Sequence, residues 1–222
     1  MTISAIEGYG LWAEAWDETP SPIVALEERI IGPWIARLHP RRVVDVACGT
    51  GRWTARLGAI GVDASPAMLA IAARKPELRG RVAVADATAV PIADASADLV
   101  LCTLALGHIR DHAAAMGELQ RVLAPGGTLI LTDFHPDAAV QGWRRTFCRD
   151  GVTYELENHP YRLEELRCGG IQLAERVDAA IGEEERPIFD RAGRPDLFDA
   201  ARHTPAVLAT MWQRREDRRH IP

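Results

Sequence analysis

The chain has 222 residues, a formal net charge of -5, and 47% hydrophobic against 26% charged residues. That balance excludes extensive disorder, and no apolar run approaches the ~18–20 residues a bilayer span needs. The acidic sign argues against a general nucleic-acid binder, and the length suits one domain with a small lid.

The N-terminal stretch MTISAIEGYGLWAEAWDE is acidic and aromatic, unlike a secretory signal. Residues 23–38 carry apolar positions at helical spacing after Pro22 and end at His39-Pro40. RRVVDVACGTG reads as a buried strand, Val43 to Val46, running into a glycine turn, with a short helix from Gly51 to Leu57. A short apolar run, Ala59 to Val62, ends at Asp63; Ser65 and Pro66 then open a helix as N-cap and first helical residue. Strands are predicted at 81–85 and 97–106, joined by a polar, Pro-bearing stretch that reads as a short connector rather than a full helix, followed by a helix at 112–123. A tight turn at Pro125-Gly126-Gly127 leads into a strand at 128–134. This alternation calls for an α/β fold with a mainly parallel sheet and helices on both faces.

Beyond Phe134 the pattern loosens. A hairpin is expected around Arg149-Asp150-Gly151, a helix over 161–170 ended by Gly169-Gly170, and a strand over 171–182. Residues 183–204 read as a loop or insertion, 205–212 as a last strand with a helix as the alternative, and 214–220 as a solvated tail. Lys75 is the sole lysine; it reads as composition bias on the outer end of a surface helix, away from functional residues.

Cys48, Cys102, Cys148 and Cys168 form no C-x-x-C pair and have no histidine cluster at zinc spacing, so a reduced, cytoplasmic protein is expected. Cys48 and Cys102 lie in apolar runs, where a thiol packs as a small hydrophobe.

The chemistry concentrates in Asp45-Val46-Ala47-Cys48-Gly49-Thr50-Gly51, between a strand and a helix. Glycines there let a ligand approach the backbone, at the carboxyl ends of the strands where such sheets bind. A dinucleotide fingerprint needs a third glycine where Thr54 stands, which disfavours a nicotinamide dehydrogenase. Asp63 and Asp86 instead close the next two strands, suited to ribose hydroxyls and an adenine amino group. Three acidic strand ends fit an adenosine ligand with a cationic centre and no phosphate.

VVDVACGTG, GVDASPAML, VADATAVPIADASADLV and ELQRVLAPGGTLILTDF, in that order, resemble the class I S-adenosylmethionine-dependent methyltransferases acting mostly on small molecules, over about residues 8–136. The resemblance implies a Rossmann-like, seven-stranded, mainly parallel sheet with small lid insertions. It implies one domain over 1–222: cap helices at 1–38, a cofactor-binding core at 39–135, and the substrate lid with the last helix and strands at 136–222. It also implies that S-adenosyl-L-methionine is held by Asp45, Ala47, Gly49, Gly51 and Asp63, with Ala64, Met68, Asp86 and Ala87 at the adenine and Leu104 beside the methionine part. Tyr9, Trp12, Trp16 and Asp17 resemble the family's aromatic segment that caps the cofactor, with Tyr9 and Trp16 suited to a sulfonium by cation–π attraction. A core-packing helix face is the competing reading. Asp45 and Asp63 stand 18 positions apart, a shorter span than the family commonly shows, so the first helix or second strand should be short.

His108 and His135 follow the fourth and fifth strands and are the candidate catalytic residues, each as a base or as an orienter of substrate. His159 is a weaker candidate. Arg144, Arg145 and Arg149 could bind a carboxylate, or form a solvated face. Asp111 and Asp133 lie near the mouth without the Asp-Asn pair of a catechol-type site, so no metal is expected. The expected partner is a small-molecule methyl acceptor, with no nucleic acid, no membrane, and a monomer or homodimer. Acceptor choice should come from the N-terminal aromatic segment and the stretches after residue 135. The alternative is a cofactor-binding but catalytically inactive methyltransferase-like regulatory or partner protein.

Overall fold

The structure, a computed structural model, describes residues 1–166 and 169–216. Cys168 and the end of the expected tail, residues 217–220, lie outside the described residues.

The elements run β1 (Thr2–Ile3), α1 (Ala5–Trp16), α2 (Pro22–Leu38), β2 (Val43–Val46), α3 (Arg52–Leu57), β3 (Ile60–Asp63), α4 (Pro66–Ala72), β4 (Val82–Val84), β5 (Ala97–Thr103), α5 (His112–Val122) and β6 (Leu123–Phe134). After these come α6 (Pro136–Val140), β7 (Thr146–Arg149), β8 (Val152–Leu156), β9 (Ile171–Ala180), α7 (Arg186–Arg191), α8 (Pro195–Ala201) and β10 (Pro205–Arg214). Seven strands form one sheet in the order β4-β3-β2-β5-β6-β10-β9. Only β10 runs against the others, antiparallel to both β6 and β9. The β7–β8 hairpin, turning at Asp150 and Gly151, takes β1 as a parallel partner in a second, three-stranded sheet.

Alternating side chains of the central strands build the two faces of the core. Val44, Val100, Cys102 and Leu131 pack toward Ala115, Met116 and Leu119 of α5. Val43, Leu99, Leu101 and Ile130 pack toward Ile31, Trp34 and Ile35 of α2 and Trp53 of α3. A parallel strand buried on both faces reads as a continuous apolar run, and LVLC at 99–102 is fully buried. Among the described residues no helix is long and apolar enough to cross a membrane.

Ser65 caps α4 as expected, its Oγ accepting the Met68 N–H at 3.4 Å, with Pro66 in the first turn. The short Asp45–Asp63 span is absorbed by α3, a six-residue helix that stops at Gly58.

Three expectations need correction. Residues 161–170 form only a 3₁₀ turn at Leu163–Glu165 among the described residues, because the turn's cap is completed locally by Arg162 and Glu165 and the chain then enters β9. Residues 183–204 hold two short helices, α7 and α8, each with a proline in its first turn and buried through Phe189 and Phe198. Pro125-Gly126-Gly127 is an irregularity within β6, where the pairing with β5 shifts register between Ala97 and Leu99.

Candidate active site

The strand order reverses at β2 and β5, and a cavity of about 400 Å³ opens at the carboxyl ends of the strands there. Asp45 and Ala47 come from the end of β2, Asp63 from β3, Asp86 and Ala87 from beyond β4, and Leu104 from beyond β5; Tyr9 and Trp16 of α1 close it. Ala47 and Leu104 hold φ values of 59° and 54°. Non-glycine residues seldom adopt this left-handed conformation, and such strain concentrates at functional sites. Leu104 is held there by its N–H, which donates to the Thr132 carbonyl at 2.8 Å and to Thr132 Oγ1 at 3.0 Å.

The glycine turn is organised by two aspartates. Asp63 accepts the Gly49 N–H at 2.8 Å through one oxygen and the Ser65 N–H at 2.8 Å through the other. Burial raises its pKa, opposed by these two hydrogen bonds. Asp45 is buried under the turn; Oδ2 accepts from Thr54 Oγ1 at 2.6 Å, and Oδ1 has no hydrogen-bond partner. Burial pushes its carboxyl up to about 7, against the Thr54 hydrogen bond and the Arg52 charge. Thr54, which breaks the dinucleotide pattern, is thus the residue that orients Asp45.

Arg52, absent from the sequence-based candidates, lines the same cavity. Its Nη2 donates to the fully buried Glu27 at 2.6 Å, while Nη1 is buried without a hydrogen-bond partner. Nη1 lies 3.7 Å from Glu28 Oε2, so Arg52 is shared between two carboxylates of α2, while Asp45 Oδ1 keeps no hydrogen-bond partner. No sequence pattern announces Arg52; its role follows from Glu27, which reaches it from α2.

Lys75 is not idle on a surface helix, as composition suggested. Its Nζ donates to the Thr50 carbonyl at 2.8 Å and meets Asp17 Oδ2 at 2.8 Å, while Thr50 Oγ1 donates to Asp17 Oδ1 at 2.6 Å. The sole lysine ties the glycine turn to the residue that ends α1.

A second cavity of about 620 Å³ shares Tyr9, Trp16, Val24 and Leu104 with the first. Its walls include Trp12 of α1, Phe134 of β6, Trp143 between α6 and β7, Ile181 just beyond β9 and Phe189 of α7. The aromatic helix face both packs and lines: Trp12 stacks on Phe147 with ring centroids 4.8 Å apart, and Tyr9 and Trp16 border both cavities.

At the junction, His108 Nδ1 lies 2.8 Å from the Glu157 carbonyl and so donates to it, leaving Nε2 as an acceptor. Nε2 accepts from the Tyr9 hydroxyl at 3.0 Å and from Arg145 Nη1 at 2.5 Å. Burial and the neighbouring Arg145 push the imidazole down to about 3, and burial raises the Tyr9 phenol. Both are neutral at physiological pH. Arg145 is buried rather than on a solvated face, ion-paired with Asp133 behind it.

The expected cofactor residues converge, with one difference: Gly51 is absent from the cavity wall. It shapes the turn instead, at φ 82°, where a Cβ would stand 2.3 Å from Leu78 Cδ1. His135 lines neither cavity. Pro136 starts α6 directly after it, so its Nδ1 accepts the Asp137 N–H at 3.1 Å as the cap, and its Nε2 donates to Asp178 at 2.8 Å.

A methyltransferase-domain family model matches residues 44–131. The chain is 31% identical over 204 residues to the methyltransferase GfsG of Streptomyces halstedii, covering 81% of this chain and 69% of that one. It is 44% identical over 107 residues to the demethylmenaquinone methyltransferase of Thermus thermophilus, covering 44% of this chain and 49% of that one. The chain spans about half the length of the demethylmenaquinone methyltransferases it matches, 49% and 46% for two of them. Among solved structures, an S-adenosylmethionine-dependent methyltransferase from Mesorhizobium loti aligns with a TM-score of 0.61 at 20% identity, over 83% of this chain and 97% of that one. One from Clostridium acetobutylicum aligns with a TM-score of 0.63 at 18% identity, over 92% and 96%. The fold is the Rossmann-like methyltransferase fold. The chain belongs to the class I S-adenosylmethionine-dependent methyltransferase family.

Proposed function

We propose that this protein transfers a methyl group from S-adenosyl-L-methionine to a small-molecule acceptor. The observation that carries the reading is the convergence of Asp45, Asp63 and Asp86 with the glycine turn around one cavity, where the buried Asp45 Oδ1 has no hydrogen-bond partner. An amino acid zwitterion would offer its ammonium to Asp45 Oδ1, and a buried polar atom without a partner costs about 1–3 kcal/mol. Asp63 and Asp86 would receive the ribose and adenine, with Ala64, Met68 and Ala87 beside the base and Ala47 and Gly49 along the methionine part. Tyr9 and Trp16 present aromatic faces to a cation. When bound, the cofactor supplies an electrophilic methyl on a sulfonium.

The chain's own contribution is alignment in a dry site, where proximity and orientation lower the barrier. The two cavities meet at Tyr9, Trp16, Val24 and Leu104, so cofactor and acceptor approach each other there. His108, neutral and committed at both ring nitrogens, acts as a positioning residue that orders Tyr9 and Arg145. Cap, core and lid correspond to residues 1–38, 39–135 and the region after 135. The test is mass-detected conversion of S-adenosylmethionine across a panel of small acceptors, with thermal shift by S-adenosylhomocysteine in parallel. Stabilisation by NAD instead of the adenosyl ligand overturns the reading; cofactor binding with no product from any acceptor favours the regulatory alternative.

A further inference from the structure

The second cavity says what kind of acceptor it takes. Its walls are mainly aromatic and aliphatic, with the hydroxyls of Thr19, Ser21 and Thr146, and among the described residues the only ionisable side chains in them besides Tyr9 are Arg144 and Arg145. Arg144 is half-exposed at the rim, with Glu155 3.5 Å away. Arg145 is different: its side chain is 8% exposed, its guanidinium lies 4.6 Å over the Phe134 ring, and its Nε is buried without a hydrogen-bond partner. Asp133 balances that charge from behind, lining neither cavity and already accepting the Gly107 N–H at 2.5 Å and the Phe134 N–H at 2.8 Å. The ion pair thus has its positive member in the wall. The two titratable groups beside it, His108 and Tyr9, are tied to each other and to Arg145, and neither has a free basic atom.

Resting on the methyl-transfer reading, we infer that the acceptor is a largely apolar molecule bearing an oxygen acid (a phenol, an enol or a carboxylic acid) whose oxygen is held by the Arg145 guanidinium. The wall holds the positive member of the Arg145–Asp133 pair and, among the described residues, no carboxylate, so an amine cation beside Arg145 meets a like charge and no counter-ion. The same guanidinium favours the ionised form of a bound oxygen acid. The acceptor releases its proton to solvent, which removes the need for a protein base. The oxygen lone pair then forms the O–C bond as the C–S bond breaks, its electron pair remaining on sulfur as a neutral thioether. Arg145 is a specificity-determining residue, and an O-methyl product is the outcome.

Isothermal titration calorimetry on the intact chain saturated with S-adenosylhomocysteine tests this with three probes of one shape: 2-naphthol, 2-naphthoate and 2-naphthylmethylammonium. The naphthol and naphthoate should bind at least about tenfold more tightly than the ammonium. Removing Arg145 alone would strand the buried Asp133 carboxylate, so the variant combines Arg145→Met with Asp133→Asn. It should keep its thermal shift with S-adenosylhomocysteine and lose the preference. A bound 4-nitrophenol should titrate below its free pKa in the wild type and not in this double variant. Trp143→Ala, in the cavity wall, should weaken both oxygen-acid probes and leave the nucleoside ligand unaffected. Equal or tighter binding of the ammonium, or a preference that survives the double substitution, overturns the inference. If S-adenosylhomocysteine itself fails to bind, the methyl-transfer reading falls; if it binds and the probes show no preference, only the acceptor assignment falls.

Discussion

Tyr9 donates its hydroxyl hydrogen to Nε2 of His108 at 3.0 Å, joining the helix that closes the first cavity to the loop that follows β5. The imidazole, pushed down to about 3 by burial and Arg145, is neutral throughout the physiological range. Because its folded pKa is depressed, its contribution to stability is full above the unfolded value of about 6.5 and is lost as pH falls toward 3. His108→Gln should therefore flatten the pH dependence of urea stability between about 6.5 and 3. It should spare cofactor binding and lower turnover, without removing any inflection of the rate near pH 6.5. His135→Ala, by contrast, should cost about 1 kcal/mol of stability through the lost cap of α6, read by denaturant melts.

Asp45 carries the opposite linkage. Its carboxyl is pushed up to about 7 by burial, so the protonated form is favoured in the folded protein. The stability it contributes is complete below the unfolded value of about 3.9 and is lost as pH rises through 7. An ammonium beside Oδ1 would lower that pKa again. Cofactor affinity should then rise with pH through about 7, and binding at pH 6 should release protons. Calorimetry in two buffers of different ionisation enthalpy measures the release, and Asp45→Asn should abolish it.

Asp63→Ala removes the acceptor of the Gly49 and Ser65 N–H groups and the expected ribose partner together. Cofactor affinity should fall by about 1–3 kcal/mol. Asp63→Asn, which keeps one carbonyl acceptor, should fall between the variant and the wild type in a direct binding titration.

Two glycines separate backbone strain from collision. Gly58 holds φ 59° with nothing within 4 Å of a built Cβ, so Gly58→Ala should cost only the left-handed penalty, about 1 kcal/mol. Gly51 holds φ 82° with Leu78 Cδ1 at 2.3 Å from that Cβ. Gly51→Ala should cost about 2–4 kcal/mol, strain and overpacking together, and disturb cofactor binding. Chemical denaturation distinguishes the two.

The Lys75–Asp17 pair is partly exposed, and such pairs contribute little by themselves, about 0–1 kcal/mol. Lys75→Met should nevertheless raise the cofactor dissociation constant a few-fold, because Nζ also holds the Thr50 carbonyl in the glycine turn. Asp17→Asn should act through the same contact, so a double-mutant cycle on cofactor binding should show the two effects to be less than additive.

The residues of the first cavity were legible because they follow strand ends, and strand ends follow from local apolar runs and glycines. Asp45, Asp63 and Asp86 could be placed without any coordinates. The stretch after Phe134 was less legible. Its helices are short, α6, α7 and α8 covering five to seven residues each, and too brief for periodicity to declare them. His135 misled for a related reason: the residue before a proline after a strand looks like a mouth residue, but the helix that Pro136 starts turns the ring into a cap.

By itself the amino-acid sequence determined the sheet, the glycine turn and the acidic residues at the strand ends, because these depend on local patterns within a few residues of one another. The tertiary structure alone decided which charges are left without partners. Glu27 meets Arg52 across 25 positions, Asp17 meets Lys75 across 58, and Arg145 meets His108 across 37. The state of a charged group depends on burial and on neighbours brought from distant segments, and no local pattern encodes either.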